Sequence, residues 1–138
     1  MINDLKDYFQ KKPYAFVLLF GSYAKGNAHA MSDVDIGVWC RGNVNFWEIG
    51  YDTATLEGML GRQVQVVALN DLYKKDPLFA FEILASHAPV VINDRKLYDD
   101  FKREAQLYYL DHLPLIEQNR EALRKRIESG RVGERNYA

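Results

Sequence analysis

The stretch Leu19-Phe20-Gly21-Ser22-Tyr23-Ala24-Lys25-Gly26, followed by Ser32-Asp33-Val34-Asp35-Ile36-Gly37-Val38, carries more information than any other part of the chain. An apolar run ends in a Gly-Ser turn, and ten residues after the serine a second apolar run opens with two aspartates at i and i+2. On an extended strand alternate side chains share a face, so Asp33 and Asp35 are expected to project together while Val34 and Ile36 turn the other way. Carboxylates about 7 Å apart at their backbones can converge on one or two hard cations. Magnesium takes oxygen ligands and keeps substrate phosphates in its shell, so a short acidic pair suits it. Two such ions can clamp the attacking and leaving oxygens of an in-line displacement.

A bare Asp-x-Asp is most often a solvated strand edge, and the Gly-Ser turn is what changes the reading. Tyr14 to Phe20 reads as a buried strand, and Gly21 lets the backbone approach a ligand where a Cβ would intrude. Ser22 is expected to cap a short helix through Lys25, offering N–H groups and a hydroxyl to a phosphate. Lys25 adds a point charge one turn on, and Gly26 ends the turn. This order of parts suits a protein that holds a nucleotide triphosphate over magnesium.

The Gly-Ser, ten residues, Asp-x-Asp pattern resembles the minimal nucleotidyltransferases, small relatives of the DNA polymerase β palm, and the likeness runs from the first helix to about Asn93. Proteins of this length in that family look most like the antitoxin half of HEPN–MNT toxin–antitoxin pairs. The resemblance implies transfer of AMP from ATP onto a tyrosine of a HEPN ribonuclease toxin, which silences it. It assigns Gly21 and Ser22 to the nucleotide phosphates, and Asp33 and Asp35 to magnesium and catalysis. It also implies an α/β (α+β) fold, a palm-like mixed sheet backed by helices.

One position departs from the family pattern. A third carboxylate is expected on the next strand, and the segment Gln63-Val64-Gln65-Val66-Val67-Ala68-Leu69 puts Gln65 in its place. Alternation sets Gln63, Gln65 and Val67 on one face and Val64, Val66 and Ala68 on the other. An amide oxygen ligates weakly and cannot act as a base or balance a cation's charge. The substitution should spare nucleotide binding more than chemistry. It leaves two readings: a working transferase, or a weakened one that neutralises its toxin by binding. Asp71, just past the strand, is the other carboxylate within reach in sequence.

Composition is that of one small domain: 138 residues, 48% hydrophobic, with room for a real core. A net charge of −1 provides no basic field for nucleic acid, so direct nucleic-acid binding is not expected. The longest apolar run is too short to span a bilayer and the start shows no signal-peptide pattern, so the expected setting is cytoplasmic, with no membrane partner. The single cysteine, Cys40, reads as a buried thiol at a strand end. An aminoglycoside-type transferase is a third possibility, disfavoured because the chain has no large acidic second domain.

The remaining elements follow from pattern. A helix is expected from Asn3 or Asp4 to about Lys11, strands at Tyr14–Phe20 and Val34–Cys40, and a turn at Arg41-Gly42-Asn43. An amphipathic helix from Phe46 to Leu60 stops at Gly61, a helix opens at Pro77, and Pro89 to Ile92 forms a short strand. The nucleotidyltransferase core is expected over residues 1–93, a helical segment over 94–128, and a flexible tail over 129–138. Leu97, Phe101, Ala105, Tyr108, His112, Leu115, Ile116, Leu123 and Ile127 keep helical spacing, with Pro114 as an expected kink or break. So long a stripe exceeds what a small core can cover, which predicts a partner surface with Tyr108 and Tyr109 at its core and Arg120, Arg124 and Lys125 at its rim. His29, His87 and His112 show no metal-ligand spacing, although His29 falls in the loop between turn and aspartates.

Overall fold

The computed structural model describes residues 1–26 and 32–128, so His29 and the tail lie outside the described residues. The elements run α1 (Ile2–Phe9), β1 (Tyr14–Phe20), α2 (Ser22–Lys25), β2 (Val34–Cys40), α3 (Phe46–Leu60), β3 (Val64–Ala68), α4 (Leu72–Lys75), α5 (Pro77–Ser86), β4 (Ala88–Ile92) and α6 (Arg95–Glu128). The strands form one mixed sheet in the order β3-β2-β1-β4. β1 pairs antiparallel with both neighbours, and β2 pairs parallel with β3. A parallel pair requires a crossover, and α3 supplies it.

All seven residues of β1 are buried, because helices cover both faces of the sheet. Tyr14, Val17 and Leu19 join Ile36 and Val38 of β2 in a cluster with Leu5 and Phe9 of α1 and Ile49 and Leu56 of α3. Phe16, Leu18 and Phe20 face the other way, against Ala80 and Ile83 of α5 and Tyr98, Phe101 and Ala105 of α6. β1, β2 and α3 have the bounds expected from sequence. The start of α3 is fixed by Asn45, whose side chain accepts from the Glu48 N–H at 3.1 Å, and its end by left-handed Gly61. α1 stops two residues before Lys11, where the chain turns with the Lys12 N–H donating to the Phe9 carbonyl at 3.0 Å.

Of the kink or break expected at Pro114, the break does not occur: α6 continues through it, reaching about 50 Å at the rise of an α-helix. Tyr108 and Tyr109, expected at a partner surface, are half-buried against the chain itself. Tyr108 packs against Tyr73, with ring centroids 5.1 Å apart, and Tyr109 stacks on Phe81 at 4.0 Å. The apolar residues that open α3 are exposed: Phe46 is 76% exposed and Trp47 88%, because the helix turns Ile49, Asp52 and Leu56 inward.

Candidate functional site

Gly21 leaves β1 with φ 73° and ψ −151°, a backbone region essentially confined to glycine. The reason is steric as well as conformational, since a Cβ at this position would overlap the Asp35 carboxylate. α2 begins at Ser22, so Gly21 rather than Ser22 occupies the cap position, one residue earlier than expected, and no side chain caps this helix. The Lys25 N–H donates to the Gly21 carbonyl at 3.1 Å, and Gly26 closes the turn in the left-handed conformation. Lys25 ends exposed and makes no ion pair with another described residue.

Antiparallel register sets Asp35 opposite Phe20, and parallel register sets it opposite Gln65. Gly21, Asp35 and Gln65 therefore meet at one end of the sheet, on the face that carries α5 and α6. Asp33 stands exposed just before β2, and Asp35 is partly buried. Burial pushes the Asp35 carboxyl above its usual range, and the charge of Asp33 pushes it the same way. Two like charges held together in this way suit a divalent cation, which would relieve the repulsion. The donor set is short by one, however. Among the described residues no three His, Cys, Asp or Glu side chains converge, and the neighbour of Asp35 on β3 is the exposed amide of Gln65. Asp71 does not fill the gap, because it follows β3 at the opposite end of the sheet and pairs with Lys74 at 3.8 Å.

Two groups escaped the sequence reading. Arg62, on the approach to β3, sets its guanidinium 5.6 Å from the centre of the Tyr23 ring and so brings a fixed cation beside the Gly-Ser turn. A basic residue directly after a helix-ending glycine and before the strand was the only signal. The other is Asp52, fully buried on α3. It accepts from the Tyr8 hydroxyl at 2.6 Å and from the Tyr14 hydroxyl, and pairs with Lys12 at 2.9 Å. Burial works against the charge of Lys12, but hydrogen bonds to Asp52 and Glu48 outweigh it and hold the ammonium above the usual lysine range. Burial, then Asp52, pushes Tyr14 up as well. This cluster lies at the Tyr14–Cys40 end of the sheet, away from Asp35. The described histidines are engaged internally: His87 with Tyr98 and the Leu84 carbonyl, both at 2.7 Å, and His112 with the Tyr108 carbonyl at 2.8 Å. Cys40 is buried, which raises its thiol. Among the described residues no helix is long and apolar enough to cross a membrane.

A family model described as polymerase beta, nucleotidyltransferase, matches residues 3–96. Similar folds occur in a toxin–antitoxin structure with AMP-PNP (TM-score 0.68, 17% identity, 85% of this chain and 96% of that one). Another is the structure of a tri-AMPylated Shewanella oneidensis HEPN toxin in complex with its MNT antitoxin (TM-score 0.61, 15% identity, 86% and 98%). A third is an MntA–HepT toxin–antitoxin structure (TM-score 0.60, 14% identity, 85% and 94%). At these identities the likeness establishes the fold. No curated protein matches the chain at a significant level.

Proposed function

The chain belongs to the polymerase β nucleotidyltransferase family, and on that premise we propose that it is the antitoxin of a HEPN–MNT pair, transferring AMP from ATP to a tyrosine of its toxin. The observation that carries this reading is the junction of Gly21 with Asp35, which leaves no room for a side chain between the phosphate turn and the acidic strand. Membership supports the reaction class, and the toxin–antitoxin structures of like fold support the choice of partner.

In this reading the tyrosine hydroxyl attacks the α-phosphorus of ATP, a new O–P bond forms, and the bond to pyrophosphate breaks. Gly21 and Ser22 present backbone N–H groups to the triphosphate, and Lys25 and Arg62 add positive charge at the same turn. Asp33 and Asp35 would hold magnesium, which would supply charge neutralisation along the phosphates. With Gln65 beside Asp35, no third carboxylate takes up the proton of the attacking hydroxyl, which passes to solvent water instead, so transfer is slow. The partner docks along the second half of α6, where Leu115, Ile116 and Leu123 face Pro77 and Leu78 across a groove of about 390 Å³. A reaction that consumes ATP fits a cytoplasmic setting.

The intact mass of the partner after incubation with magnesium-ATP tests this. An AMP-sized increase is expected, lost by at least about 100-fold in Asp33→Asn. Gln65→Asp should raise the rate by about tenfold or more. A second reading rests on Gln65 itself: a docking antitoxin with residual nucleotide binding. It is the correct one if the toxin is silenced, without mass change, by a protein lacking both aspartates.

A further inference from the structure

α3 presents to solvent a face with no job inside the fold. Trp47, Gly50, Tyr51, Ala54 and Gly58 recur at three- and four-residue intervals, so they share one stripe, with Phe46 at its edge. All six are exposed, and none carries a charge. Trp47 is 88% exposed, Phe46 76%, and Tyr51 63% even though Lys12 sits 5.0 Å from its ring centre. No internal packing explains the two glycines, since a Cβ on Gly50 or Gly58 would meet nothing within 4 Å. Each destabilises the helix relative to alanine. Monomers seldom leave so large an uncharged aromatic surface in water.

The stripe is bulky at its N-terminal half and bare at its C-terminal half. Its small residues are symmetric about Ala54, which stands four residues from each glycine. We infer that α3 is a homodimer interface, in which the α3 helices of two copies pack antiparallel about a two-fold axis at Ala54. In that arrangement Gly50 meets Gly58 of the second copy, and the single methyl of Ala54 lets the two helices approach closely at the axis. Trp47 rests on the bare backbone at Gly58 and Gly61, beside the exposed Met59. Aromatic fills glycine on both sides of the axis, the self-complementarity an isologous contact requires. A parallel pairing would set ring against ring and leave the glycines facing across a void. None of the six residues is charged, which limits like-charge repulsion between copies, and the Lys12 ammonium beside the Tyr51 ring is already paired with Glu48 and Asp52.

The area is sufficient. At their fractional exposures the three rings present roughly 450 Å² per copy. With the Gly50–Ala54–Gly58 strip this becomes roughly 600 Å², so two copies offer up to roughly 1,200 Å² for burial, where stable interfaces begin. α3 covers the sheet face opposite the one bearing Asp35 and Gln65, so pairing leaves that end open. The inference does not depend on the proposed transfer activity.

Sedimentation of the full chain at tens of micromolar, where modest protein contacts are populated, tests it. The expected species is a dimer of about 32 kDa, twice the 16.0 kDa chain. Trp47→Glu and Gly58→Arg should each weaken it at least about tenfold, with circular dichroism unchanged because both positions face solvent. Ala54→Cys should cross-link copies under a mild oxidant, while Lys96→Cys on exposed α6 should not. A monomer at every concentration, a dimer indifferent to both substitutions, or a face that only the toxin or lipid vesicles cover would overturn the inference.

Discussion

The two ends of the sheet handle charge in opposite ways. At the Tyr14–Cys40 end, Asp52 is completely buried yet fully answered, by two tyrosine hydroxyls and Lys12. At the Phe20–Asp35 end, Asp35 is only partly buried, lies beside the like charge of Asp33, and has a neutral amide as its neighbour on β3. A buried charge with good partners ties elements together, in this case α1, β1 and α3. A carboxylate pair whose neighbours among the described residues are a like charge and a neutral amide stores repulsion that a cation and phosphates would relieve. The first arrangement is what stability favours, and the second is a local conflict of the kind that working sites retain.

Removing Asp52 should give the largest effect. Asp52→Ala leaves two buried hydroxyls without their acceptor and strips Lys12 of its buried partner, costing about 3–5 kcal/mol, to be read from denaturant unfolding. Asp52→Asn keeps an acceptor and should lose less. A loss under about 1 kcal/mol for Asp52→Ala, within the range of ordinary substitutions, would mean the cluster is incidental. The same end is sensitive to alkali. Tyr8, Tyr14 and Lys12 have folded values above their unfolded ones. Their contribution is therefore complete below about pH 10 and declines as pH rises through the folded values.

Gly21→Ala attacks the other end more mildly. It forces a side chain into a glycine-only conformation and against Asp35, for about 1–3 kcal/mol of stability. Nucleotide transfer should fall further than stability does, because the displaced group is Asp35 itself. Equal losses in Gly21→Ala and in a destabilised variant remote from the site, compared at matched folded fraction, would show that Gly21 serves the backbone alone.

Sequence pattern was enough for the open end because its signals are local. A seven-residue apolar run, a Gly-Ser turn and alternating aspartates lie within 25 residues, and the strand bounds followed from them. The place of Gln65 was also readable, since alternation fixes the face and the parallel register does the rest. The closed end was not. Tyr14 and Asp52 are 38 residues apart, and in sequence Asp52 looks like any polar residue of an amphipathic helix. The exposure of Phe46 and Trp47 was not legible for the complementary reason: apolar spacing marks a face to be covered without saying whether the chain itself covers it. α4 was missed because left-handed Asp71, at φ 57°, starts it where no glycine announced a turn.

Asp35→Asn should have the smallest effect on stability, and its sign separates the two ends. The folded value of Asp35 is raised above 3.8, by burial first and the charge of Asp33 second. A raised acid favours the protonated form in the fold, so its contribution is present below about pH 4 and is lost as pH rises through the folded value. At neutral pH the ionised carboxylate therefore opposes folding, and an amide should raise the melting temperature by about 1–3 °C. Below the carboxylate range the variant and the parent should melt together. Asp52→Asn should move the other way at neutral pH, because there the charge is answered. If Asp35→Asn melts lower than the parent at pH 7, Asp35 already has a stabilising partner within the chain, and the contrast between the two ends fails.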